Sequence, residues 1–317
     1  MHGIDASGVG ARHRRTGDEP RPALPSAFYR ANFWRAGLRL VRGLPAWLVD
    51  RVCLGLGAVC FRLDRRRRGV VVANLLPVLS GDRPAAQRAA GRLYRRFAVK
   101  LADLLRLENG ETACQWITNP KEREVIETVR ARGRGVLFLT PHLGNWEHGG
   151  LLLADFGLRL TVLTLGEPED ELTAARAASR ARLGMETLVI GHDSFALVEV
   201  VKRLNAGAAM AIAIDRPAGA QGVRVEWFGQ PFQASAVAVE LARASGCALV
   251  GVTFVRRHHS LVATVLPEFT YDRRALGGRE ARRHFTQQIL RAFEPAIRDH
   301  PDQWYHFVPL WAGRNAT

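Results

Sequence analysis

Residues 135–150 read GVLFLTPHLGNWEHGG. Val136, Leu137, Phe138 and Leu139 form a short apolar run that stops at Pro141, the pattern of a buried strand. Gly144 and Asn145 suit a tight turn, and the residues from Trp146 onward suit the start of a helix. His142 lies in that turn, and Glu147 follows five positions later. A strand, turn and helix start place side chains at the rim of an α/β sheet, where a crevice can hold a substrate. An imidazole beside a carboxylate can take a proton from an alcohol near neutral pH. His142 and Glu147 are therefore the candidate catalytic pair.

The texture on either side extends this reading. After Gly133, strand-like runs at 136–140, 160–165, 187–190, 208–214, 223–228, 248–254 and 261–266 alternate with helical patterns at 146–156, 171–183, 194–204, 235–244 and 280–299. Alternation of this kind predicts an α/β fold with a mainly parallel sheet flanked by helices. Residues 25–130 are mostly helical in pattern, with a clear amphipathic run at 85–105 ended by Asn109-Gly110. The expected organisation is a tail over 1–24, a helical region over 25–130 and an α/β core over 131–317. The last two would make one catalytic domain.

The 317 residues carry 45 Lys+Arg against 30 Asp+Glu, a formal charge of +15. Such a surface attracts acidic partners: anionic lipid headgroups, an acidic carrier protein or nucleic acid. No helix-turn-helix or RNA-binding signature accompanies the charge, so nucleic acid is the weakest of the three. The apolar stretch 44–61 is broken by Asp50 and Arg51, leaving too few residues for a span of about 20. Phe33, Trp34 and Trp47 stand among Arg39, Arg42, Arg51 and the run Arg65–Arg68. That combination fits a basic amphipathic helix lying in the headgroup layer, or one packed on its own domain. The four cysteines (Cys53, Cys60, Cys114, Cys247) show no metal or disulfide spacing. His148 and the His258-His259 pair offer no third ligand at metal spacing, so no metal is expected.

Further blocks follow in order. Ile212 to Pro217 reads IAIDRP, residues 225–232 read VEWFGQPF, residues 241–250 read LARASGCALV, and 301–305 read PDQWY. Upstream, residues 67–76 hold an Arg-rich segment ending in Ala73-Asn74-Leu75. With His142-Leu-Gly-Asn-Trp-Glu147, these resemble the HxxxxD/E glycerolipid acyltransferases. The likeness is to their lipid A late acyltransferase branch and its phosphatidylinositol mannoside acyltransferase cousins, over roughly 30–312.

The resemblance implies an O-acyltransferase that moves a fatty acyl chain from acyl carrier protein or coenzyme A to a hydroxyl of a glycolipid or phospholipid precursor. It needs no cofactor beyond that donor. It implies a peripheral or monotopic enzyme on the cytoplasmic face of the inner (plasma) membrane. The same chemistry on a phosphatidylinositol mannoside, an ornithine lipid or a secondary-metabolite hydroxyl is the alternative. His142 would be the base, with Glu147 holding its ring and stabilising the imidazolium, as the acid does in a Ser-His-Asp triad.

In a straight helix, positions i and i+5 diverge by about 140°, so His142 must sit in the turn before the helix. Backbone N–H groups near Asn145 and Trp146 would then face an oxyanion. Asp215, at the end of a strand in the same sheet, is a supporting or acceptor-binding acid, or else a turn-forming residue. Arg216 offers a fork for a phosphate, or is a solvated charge. Arg180 and Arg182, before Gly184, are the exceptions in a stretch with otherwise little family likeness that would contact the acceptor. Where the lipid A enzymes tend to show a basic pair after the tryptophan, this chain reads His306-Phe307-Val308.

Overall fold

A computed structural model describes residues 31–110, 116–117, 119–165, 170–190, 194–218, 222–257 and 260–311. The tail over 1–24, Cys114 and His258-His259 lie outside the described residues, as do the side chains of Phe33 and Trp34. Four helices come first: α1 (Ala31–Gly43), α2 (Ala46–Leu63), α3 (Arg65–Val78) and α4 (Arg83–Glu108). Asp64 and Asp82 accept from the backbone N–H groups of Arg67 and Ala85, capping α3 and α4. Then follow β1 (Trp116–Ile117), α5 (Pro120–Ala131), β2 (Val136–Thr140), α6 (Trp146–Asp155), β3 (Leu160–Thr164) and α7 (Asp170–Arg182). The remaining elements are β4 (Glu186–Val189), α8 (Ser194–Asn205), β5 (Ala209–Ala213), β6 (Val223–Trp227), β7 (Gln230–Ala234), α9 (Val237–Ser245), β8 (Ala248–Arg257), β9 (Ser260–Val265), α10 (Arg279–Ala292) and α11 (Glu294–Asp299).

Among the described residues seven strands form one sheet, in the order β1-β9-β8-β2-β5-β3-β4. Every neighbouring pair is parallel except β8 and β9. The α/β fold with a mainly parallel, helix-covered sheet is as expected from the alternating pattern. β2 shows why its run is apolar throughout. Leu137 and Leu139 enter the core formed with α3, α4, α8, α9 and α10, whereas Val136 and Phe138 enter the opposite core with α5 and α6. A central strand covered on both faces has no polar side.

Several expectations are corrected. Within the mostly helical region over 25–130, Trp116–Ile117 adds an edge strand to the sheet. β7 contains Pro231, and its pairing with β6 leaves a two-residue turn of Phe228 and Gly229, both at positive φ. The helical run at 280–299 is two helices parted at Phe293, with Pro295 in the first turn of the second.

Among the described residues no helix is long and apolar enough to cross a membrane. α2 packs by one seam, where Gly57 lies against α4 so closely that a Cβ would stand 2.6 Å from the Arg95 Cα. Its outer side exposes Val52, Leu56, Val59 and Leu63 at helical spacing, together with Trp47 and Leu54. One seam of this helix packs on the domain, and its other side is bare.

Candidate active site

The site lies beyond the carboxyl ends of β2, β5 and β8, the position where ligands bind in open α/β sheets. Residues 142–145 are held on two sides. Gly144 donates to the Gln303 carbonyl at 2.8 Å, Asn145 to the Phe254 carbonyl at 2.7 Å, and Tyr305 to the His142 carbonyl at 2.9 Å. Gly144 adopts φ +65°, and a Cβ there would stand 1.9 Å from the Phe254 oxygen. Only glycine fits a positive φ and so close an approach.

His142 stands at this turn with its Nδ1 2.6 Å from Asp215 Oδ1. Asp215, fully buried just past β5, is the hub of the site. Its other oxygen accepts from the His142 backbone N–H at 2.7 Å, from Trp304 Nε1 at 2.9 Å and from His306 Nε2 at 2.8 Å. Burial alone would push its carboxyl up, but the two histidines hold it well below the usual carboxylate range. An ionised carboxylate can only accept, so Nδ1 of His142 carries the proton and Nε2 keeps its lone pair. Burial lowers the His142 pKa, against the opposing pull of Asp215. At neutral pH the ring is an uncharged base.

Glu147 is not the partner of His142. Its carboxylate takes a two-pronged contact from Arg180 on α7, Nε to Oε2 at 2.9 Å and Nη2 to Oε1 at 2.7 Å. Burial would raise this carboxyl, yet Arg180 drives it down to about 2. The helix twist supplies the reason: from the first turn of α6, Glu147 points toward α7, away from the ring that precedes the helix. Glu147→Gln should lower stability by about 3–5 kcal/mol, because it removes the carboxylate that neutralises a buried arginine. Chemical denaturation against wild type checks this, and a change under about 1 kcal/mol would reject a stabilising pair.

The other expected residues are distributed unevenly. Asp215 is brought onto His142, closer than its reading as a supporting or turn-forming acid implied. Arg216 is exposed beside it, and its charge helps to lower the His142 pKa. Arg182 is not at the site; it is exposed and lies 3.6 Å from Glu108. The Asn145 N–H, expected to face an oxyanion, is taken by Phe254. Its carboxamide is buried, with no partner on either atom among the described residues. His148 is buried behind the turn, and burial takes its pKa down to about 4.

Three contributors were not expected beside His142. Trp304 stood out only as part of the PDQWY block, and His306 only as a departure from the basic pair of the resemblance. Lys100 lies on a helix rich in arginine, and nothing in the pattern separates it from the others. Its ammonium stacks over Trp146, whose ring meets His142 edge-on at 4.9 Å. His142, Asp215 and His306 could also be taken for a metal triad, since their ligand atoms lie within 4.8 Å of one another. Those atoms already face one another as donor and acceptor, which describes a hydrogen-bonded relay.

Comparison with known proteins identifies the family. Residues 25–312 match the family model of the bacterial lipid A biosynthesis acyltransferases. A phosphatidylinositol mannoside acyltransferase of Mycolicibacterium smegmatis is 27% identical over 287 residues, covering 88% of this chain and 90% of the relative. The protein of that name from Mycobacterium tuberculosis is 27% identical over 303 residues, covering 92% of each. The chain thus belongs to the bacterial lipid A biosynthesis acyltransferase family and is an acyltransferase.

Proposed function

We propose that the protein moves a fatty acyl chain from a thioester, acyl-carrier-protein or coenzyme A, to a hydroxyl of a glycolipid at a membrane surface. The observation that carries this reading is the 2.6 Å contact of His142 Nδ1 with buried Asp215, which leaves Nε2 as the base. Nε2 takes the hydroxyl proton as the oxygen attacks the thioester carbonyl. The C–S bond then breaks, and the proton passes from the imidazolium to the departing thiolate. Asp215 holds the tautomer and stabilises the imidazolium, the part first assigned to Glu147.

The acceptor favoured first is a mannosylated inositol phospholipid, the substrate class in the names of the two relatives. A lipid A precursor and an ornithine lipid are the alternatives. The bare apolar row on α2 and the charge of +15 support a peripheral or monotopic position on the anionic cytoplasmic face of the inner (plasma) membrane.

Purified protein given both donors and each acceptor, with products read by mass spectrometry, tests the reading. The expected product is a new ester on a glycolipid hydroxyl. Transfer to none of the acceptors from either donor would sink it.

A further inference from the structure

Behind the His142 turn lies a cavity of about 610 Å³, between α4, Gly144-Asn145 just before α6 and the segment around Tyr305. Two side chains on its wall are buried without a hydrogen-bond partner among the described residues. One is the carboxamide of Asn145, unpartnered at both oxygen and nitrogen. The other is Lys100, whose ammonium touches the faces of Trp146 and Tyr305 and feels the charge of Glu147, but meets no acceptor. Leaving such groups unmatched costs stability, and burial drives the Lys100 pKa well below its ordinary value. A fold keeps that arrangement where a ligand supplies the missing partner. The rest of the wall indicates what kind. Arg96, Arg256 and Arg257 also line the cavity. The two acids on the wall, Asp50 and Asp103, are both occupied by Arg106 and Arg256, so neither neutralises Lys100.

We propose that this cavity is a phosphate-binding site, in which Lys100 donates to phosphate oxygens and Arg257 guards the mouth. The phosphate belongs either to coenzyme A on the donor side or to the inositol phospholipid on the acceptor side. Both sources present anionic phosphate oxygens to the same donors. The placement rests on the reading of this face as the transfer site, but binding does not require transfer.

The test is a titration of the full chain with coenzyme A by calorimetry, alongside sedimentation with phosphatidylinositol vesicles against phosphatidylcholine vesicles. Each is repeated for Lys100→Met, for Arg257→Gln and in a His142→Ala background. Lys100→Met should weaken one of the two interactions by about ten- to a hundredfold. Its melting temperature should be equal or higher, since a desolvated charge is removed. Arg257→Gln should weaken the same interaction less, and it serves as the variant of record should Lys100→Met fail to fold. A loss confined to coenzyme A assigns the phosphate to the donor, and a loss confined to phosphatidylinositol assigns it to the acceptor. Unchanged affinity for both probes in the folded variants overturns the proposal. Binding retained in His142→Ala separates this site from the transfer chemistry, so a failure of one reading does not carry the other with it.

Discussion

Replacing His142 by alanine should lower acyl transfer by about 10²–10⁴-fold, the usual contribution of a positioned general base. The fold should survive, because the turn is held by backbone bonds from Gly144, Asn145 and Tyr305 that the imidazole does not make. In wild type the pH profile has a definite sign. Burial lowers the His142 pKa below its ordinary 6.5, so the uncharged base is present at neutral pH and is lost only as pH falls through that lowered value. kcat/KM should therefore be flat across neutral pH and decline on the acid side below 6.5. An acid limb centred well above 6.5, or a folded His142→Ala protein with wild-type turnover, would reject His142 as the base.

Asp215→Asn should cost as much or more, about 10³–10⁴-fold in kcat by analogy with the acid of a catalytic triad. An amide nitrogen placed opposite His142 Nδ1 would donate rather than accept. The ring would then carry its proton on Nε2, where the lone pair is needed. The same amide could not accept all the bonds that Trp304, His306 and the His142 N–H now direct at the carboxylate. Some loss of stability should therefore accompany the loss of rate. The comparison with Glu147→Gln discriminates between the two acids. Glu147 acts through Arg180 on the packing of α6 and α7, so its variant should lose stability first and keep the acid limb of the pH profile in place. If Asp215→Asn stayed within about tenfold of wild type while a folded Glu147→Gln lost transfer altogether, the partner assignment made from the geometry would be wrong.

Much of the fold was legible from local patterning. The apolar run of β2, with its stop at Pro141, is a strand because every residue in it is covered on one face or the other. The alternation after Gly133 identified the parallel sheet, and the His142 turn emerged at the end of a strand where such sheets do chemistry. What misled was proximity in sequence. Glu147 is five positions from His142 and Asp215 is seventy-three, yet it is the distant acid that meets the ring. β7 was hidden by Pro231, which a hairpin tolerates at a strand that pairs on one side.

The sequence by itself determined the α/β class, the strand–turn–helix around His142 and the likeness to an acyltransferase family, because these rest on periodicity and on short contiguous motifs. Only the tertiary structure decided which acid meets the His142 ring, that His306 and Trp304 converge on that acid, and that Lys100 and Asn145 share a cavity. Parallel strands are brought side by side through long crossovers, so β5 delivers Asp215 to the end of β2 across a separation that no local pattern records. A helix turn, by contrast, directs the nearby Glu147 elsewhere.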